Sequence, residues 1–99
     1  METILLIEDL ESLGNMLSQA LSHVGFDVIL VNNGLDGITA LKKGGVDLVV
    51  TDLKLPKKNG MEVLRAVKEH SPEIPVILIP FAFVFLFLFQ FPALRSWFC

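Results

Sequence analysis

Apolar and polar positions along the chain switch repeatedly between two periods. Ile4 to Ile7 is an unbroken aliphatic run of strand length, after which Leu10, Leu13, Leu17, Leu21 and Val24 recur every three or four residues. That stripe predicts a helix, closed by Gly25. Asp27 to Val31 (DVILV) predicts a second strand, and Leu35, Ile38 and Leu41 mark the inner face of a short helix stopped by Gly44 and Gly45. Val46 to Thr51 (VDLVVT) predicts a third strand. Pro56 and Gly60 punctuate a loop, Met61 to His70 reads as a helix with Leu64 and Val67 inward, and Ile74 to Ile79 supplies a fourth strand. Strands alternating with helices predict an α/β architecture, a parallel sheet covered on both faces.

Composition divides the chain in two. All eleven acidic residues lie at or before Glu73, whereas seven of the eight phenylalanines lie at or after Phe81. The apolar fraction of 53% and mean hydropathy of +0.62 are high for a soluble domain, and the excess sits in that second part. Ninety-nine residues allow one domain with a single core. We therefore divide the chain into a domain at 1–79 and a hydrophobic tail at 80–99. A net charge of −3 with no basic stripe argues against direct binding to a nucleic-acid backbone. Lys57 and Lys58 form the one notable basic pair near the acidic residues, and a solvated loop accounts for them. A single cysteine, Cys99, precludes an internal disulfide, and no signal-like segment opens the chain, so a cytoplasmic location is expected.

The chemistry lies at the ends of two strands. Glu8 and Asp9 follow the first aliphatic run and Asp52 follows the third. Parallel sheets bind ligands beyond the carboxyl ends of their strands, where strand order reverses. If the first and third strands are neighbours, the three carboxylates converge, and their repulsion calls for a raised pKa or a bound cation. Mg²⁺ is the natural candidate because it takes oxygen ligands, retains waters and can hold a phosphate oxygen as well. A carboxylate beside such an ion could act as nucleophile towards a phosphoryl group. The plainer alternatives are that Glu8 and Asp9 cap the first helix and that Asp52 begins a turn. His23 and His70, near helix C-termini, suit surface positions. Met16 and Met61 read as core filler, and Gly14 and Gly37 only weaken their helices.

The segments IEDL at 7–10 and TDLKLPKKNG at 51–60, with the strand and helix alternation between them, resemble the receiver domain of bacterial two-component response regulators. Among receivers the chain looks most like those fused to transcriptional activators of the nitrogen-regulation type. The resemblance covers residues 1–79. It implies a flavodoxin-like, doubly wound parallel sheet of order 2-1-3-4-5 and a signalling module rather than an enzyme. By the same resemblance Asp52 is the phosphoacceptor and Asp9 ligates Mg²⁺ directly. Glu8 acts mainly through a metal-bound water, and the backbone carbonyl of Lys54 completes the protein's ligands. Pro56 shapes the loop, Gly60 permits its passage into the third helix, and a sensor histidine kinase is the partner that donates the phosphoryl group.

The chain departs from that pattern after Ile79. The Ser or Thr that receivers place at the end of the fourth strand falls on Pro80, and the Lys expected at the end of a fifth strand has no counterpart, since no lysine follows Lys68. The fold is therefore expected to be incomplete at its C-terminal end, lacking the fourth helix, fifth strand and fifth helix. A signalling-incompetent fragment is the alternative function. Phe81, Phe83, Phe85, Phe87, Phe89 and Phe91 alternate with mostly apolar residues, a period of two that predicts a strand apolar on both faces. As a helix, 74–89 would span only about 24 Å against a hydrocarbon core of roughly 30 Å, which disfavours membrane crossing. Such a strand needs cover. A homo-oligomer or tail-exchanged dimer is expected, with a change of reading frame as a separate origin for the tail.

Overall fold

A computed structural model describes residues 2–80, and the tail at 81–99, with the oligomer and membrane readings that depend on it, lies outside the described residues. Seven elements follow in alternation: β1 (Thr3–Ile7), α1 (Glu11–His23), β2 (Asp27–Val31), α2 (Gly34–Lys42), β3 (Leu48–Asp52), α3 (Gly60–His70) and β4 (Val76–Ile79). All pairings are parallel, and among the described residues the sheet has the order β2-β1-β3-β4. This is the flavodoxin-like order that the receiver resemblance implied. The chain reverses direction across the sheet at β1 and β3, so their C-terminal ends flank the crevice where such folds bind ligands.

The aliphatic runs are buried because both faces of the central strands are covered. Ile4, Leu5, Leu6 and Ile7 of β1 and Val49 of β3 are all within 1% of complete burial. Alternate residues face opposite layers. Leu5, Ile7 and Val49 join Leu41 of α2, Val63 and Val67 of α3 and Val46 in one core. On the other face Leu6 is paired with Leu30, whose side chain meets Gly14 of α1. Helices α2 and α3 therefore cover one face, and α1 covers the other over β1 and β2.

Helix ends follow local chemistry. Asn33 caps α2, its side chain accepting from the Asp36 amide at 2.8 Å. Asn59 and Glu62 form a reciprocal capping box on α3. Gly25 and the pair Gly44–Gly45 stop α1 and α2 at positive φ, as the punctuation predicted.

Several inward assignments shift. In α3 Val67 is buried as expected, but Val63 takes the inward place expected of Leu64, which is half-buried. Met61 is 49% exposed rather than core filler. Leu10, Val24 and Leu35 are also exposed, because Leu10 and Val24 flank α1 outside its helical span and Leu35 opens α2 on the solvent side. Strands β3 and β4 each begin two residues later than the apolar runs, at Leu48 and Val76. Gly37 is structural: a β-carbon there would collide with the Ile7 side chain, so this glycine lets α2 lie close to β1. Among the described residues no helix is long and apolar enough to cross a membrane.

Candidate functional site

The register delivers the three acidic residues to one place. Ile7 pairs with Thr51, so the next residues on each strand, Glu8 and Asp52, lie side by side at the sheet rim, with Asp9 following in the turn to α1. Carboxylate oxygens of Glu8, Asp9 and Asp52 lie within 4.8 Å of one another. Burial differs sharply among them: Glu8 and Asp52 are 6% and 5% exposed, while Asp9 is exposed. Two carboxylates are thus taken from water while a third stays at the mouth.

Backbone groups hold this geometry. The Glu8 amide donates to the Val31 carbonyl at 3.0 Å, and Glu8 Oε1 accepts from the Leu10 amide at 3.1 Å. The helix-cap alternative is met only in that one bond, since the N-cap residue of α1 is Leu10 and no side chain caps it. Asp52 Oδ1 accepts weakly from the Lys54 amide at 3.4 Å, and Thr51, wholly buried, turns its hydroxyl to the Asp52 carbonyl at 2.9 Å. Lys54, whose carbonyl the resemblance implies as a ligand, therefore stands in the turn directly over Asp52.

Glu8 reports the electrostatic cost of the cluster. Its pKa is raised from 4.5 to about 7, chiefly because burial disfavours the charged form. The Leu10 amide opposes that rise, and the charges of Asp52 and Asp9 add to it. The folded chain holds this proton up to about pH 7, the unfolded chain only to about 4.5. Stability contributed by Glu8 is thus fully present below pH 4.5 and is lost as pH rises through 7. Without metal, Glu8→Gln is expected to stabilise the fold at pH 8 by roughly 1–2 kcal/mol, discounted for solvent at the rim, and to change little at pH 4.5. Denaturant melts of both proteins at the two pH values check this; an equal effect at both would contradict it.

An open cleft of about 430 Å³ adjoins the cluster, lined by Glu8, Asp9, Glu11, Asn15, Asn32 and Asp36 among others. Among the described residues it offers oxygen acceptors and no cationic side chain, a donor set suited to a hydrated hard cation. Lys57 and Lys58 stand apart in the exposed loop, where Lys58 pairs with Glu62 at 3.4 Å across a solvated helix turn. Pro80 directly follows Ile79, the β4 residue paired with Asp52, so the rim position beside Asp52 carries no hydroxyl. Sequence reasoning missed Asn33 and Gly34, both buried at the start of α2 against the loop after β3. The signal was present as the Asn-Asn-Gly run ahead of an apolar stripe, with Asp36 three residues after the cap.

Comparison with known proteins fits this geometry. The family model described as "Response regulator receiver domain" matches residues 4–82. The transcriptional regulatory protein PcoR of Escherichia coli is 38% identical over 79 residues, 80% of this chain and 35% of that protein. The chain thus spans about a third of the length of that relative. A response regulator receiver domain protein from Clostridium thermocellum superposes with a TM-score of 0.78 at 28% identity, over 81% of this chain and 65% of that one. The response regulator TrrA from Thermotoga maritima, solved in complex with Mg²⁺ and BeF, gives 0.77 at 25% identity, over 81% of this chain and 70% of its own. TrrA has also been solved in complex with the histidine kinase ThkA, with the same TM-score and identity, over 82% of this chain and 70% of that one.

Proposed function

Because the chain belongs to the response regulator receiver domain family, we propose that it is a phosphoacceptor module of a two-component relay, phosphorylated on Asp52 by a histidine kinase with Mg²⁺ bound at Glu8, Asp9 and Asp52. The observation that carries this reading is the meeting of three carboxylates within 4.8 Å, one of them buried on the last residue of β3. Receivers bind Mg²⁺ through such acidic residues, and the relative TrrA is found both with Mg²⁺ and BeF and with a histidine kinase.

The residues fit the ion. Asp9, exposed at the mouth, is placed to ligate directly, and Asp52 offers the oxygen not engaged by the Lys54 amide. Glu8, already bonded to the Leu10 amide, suits contact through a water, and the Lys54 carbonyl belongs to the turn above. When bound, Mg²⁺ offsets the negative charge of the carboxylates and of an incoming phosphoryl group. Asp52 serves as nucleophile: a carboxylate oxygen bonds to phosphorus, the bond from phosphorus to the donor's imidazole nitrogen breaks with its electron pair left on that nitrogen, which is protonated from solvent, and an acyl phosphate results. Burial and the flanking strands fix its approach, so catalysis is largely positioning.

Pro80 favours a second reading for the output. With proline rather than Ser or Thr at position 80, the described residues offer the phosphoryl group no hydroxyl of the kind through which receivers register phosphorylation, which points to a module that accepts phosphate without passing the state on. Beryllofluoride with Mg²⁺ tests the first step. Wild-type chain is expected to bind it, and Asp52→Ala is expected to lose binding entirely. Equal responses from the two proteins, followed by fluorine NMR, would exclude Asp52 as acceptor.

A further inference from the structure

The loop from Leu53 to Asn59 is wedged between two glycines that belong to different helices. At its far end the Gly60 amide donates to the Leu53 carbonyl at 2.9 Å. On its outer side the Gly34 amide points to the Pro56 carbonyl at 3.4 Å, and the bare Gly34 backbone lies directly against Lys58. A β-carbon on Gly34 would collide with the Lys58 carbonyl oxygen and approach its carbonyl carbon to 2.5 Å. Both are backbone atoms, so no side-chain rotation relieves the contact. The loop has little slack to yield, because Lys57 already sits at φ 68° and the Lys58 amide is tied to the Pro56 carbonyl at 2.8 Å.

The wedge is itself rigid. Asn33, 5% exposed, accepts from the Asp36 amide and donates to both Asn32 and Asp36 side chains at 2.9 Å. This network fixes the first turn of α2. We propose that this turn is a backstop for the loop that carries Lys54 over Asp52, which makes Gly34 a positioning residue for the cation site although it touches no carboxylate. The inference rests on the proposed Mg²⁺ site. A displacement at Lys58 reaches Lys54 within the same short, doubly anchored segment and changes how its backbone meets the ion, and supporting contacts of this kind commonly govern metal affinity.

The test compares Gly34→Ala with Gly37→Ala. The second substitution also meets a close neighbour, but that neighbour is the end of the buried Ile7 side chain rather than backbone, so it burdens packing without pressing on the loop. In the metal-free full chain, amide shifts caused by Gly34→Ala are expected to concentrate at 53–58, and Mg²⁺ titration is expected to show affinity reduced roughly tenfold. Gly37→Ala should leave the Mg²⁺ dissociation constant unchanged. If Gly34→Ala fails to fold, the wild type still decides the matter: on Mg²⁺ addition its Asn33 and Gly34 amides should shift together with that of Lys54. Unperturbed amides at 53–58 in the variant, unchanged Mg²⁺ affinity, or silent Asn33 and Gly34 signals in a wild type that binds Mg²⁺ would each overturn the inference alone. A wild-type chain that binds no Mg²⁺ would instead remove the functional reading beneath it.

Discussion

Asp9→Asn is expected to lower Mg²⁺ affinity by roughly a hundredfold while leaving the metal-free fold intact. Asp9 differs from its two neighbours in being exposed, so the substitution leaves no buried polar group without a partner. It removes one full charge from a cluster whose oxygens lie within 4.8 Å of one another, and that charge is the part of the site most accessible to an arriving ion. Relief of repulsion also helps Glu8, whose pKa is raised in part by Asp9. The metal-free melting temperature should therefore stay level or rise slightly, opposite in sign to the loss of binding. Calorimetric titration with MgCl₂ and thermal melts of the same two preparations measure both quantities. A variant that binds as tightly as wild type would show that the ion, if bound, is held elsewhere.

The opposite signs matter because they separate function from folding. A cluster kept for stability would lose stability when one member is neutralised, whereas this cluster carries a cost in the metal-free state, visible in the buried and protonation-prone Glu8.

The meeting of the three carboxylates was legible in the sequence because its signal is local: carboxylates directly after aliphatic runs become neighbours once the runs pair in register. Ile7 opposite Thr51 is all that is needed to bring Glu8 to Asp52. The span of β2 was read to the residue because Asp27 and Val31 are bounded by a glycine-terminated turn and by polar Asn32 and Asn33. In α3 Val67 lies inward as the spacing predicts, but its buried partner is Val63 rather than Leu64, because both satisfy helical spacing and only the sheet decides between them. Glycine roles were the least legible. Gly37 looks like a helix-weakening residue in isolation and Gly34 carries no evident message, and their purpose appears only when Ile7 and Lys58, distant in sequence, are found against them. Through-space contact, unlike periodicity, leaves no mark within a local window.

Gly60→Ala brings that distinction to Asp52 itself. Helix propensity alone favours alanine over glycine by about 1 kcal/mol, and Gly60 is the first residue of α3. Against this, the new β-carbon would collide with the Asp52 carbonyl oxygen and lie 2.9 Å from the Leu53 α-carbon. Neither atom can rotate away. Relief requires moving β3 at Asp52 or the start of α3, where the capping box of Asn59 and Glu62 resists displacement. Steric strain should win, with a net loss of about 2 kcal/mol, or on the order of 10 °C in melting temperature for a domain of this size. Gly14→Ala is the matched control: its β-carbon would meet only the end of the Leu30 side chain, at 3.2 Å, and the Glu8 β-carbon at an ordinary 3.7 Å. That variant should melt within a few degrees of wild type, about where propensity and mild crowding cancel. Because the strain at Gly60 falls on the backbone of Asp52, Mg²⁺ and beryllofluoride binding should weaken with stability. A Gly60→Ala chain that melts like Gly14→Ala and binds beryllofluoride normally would show that the turn after β3 has room the tight backbone contact denies.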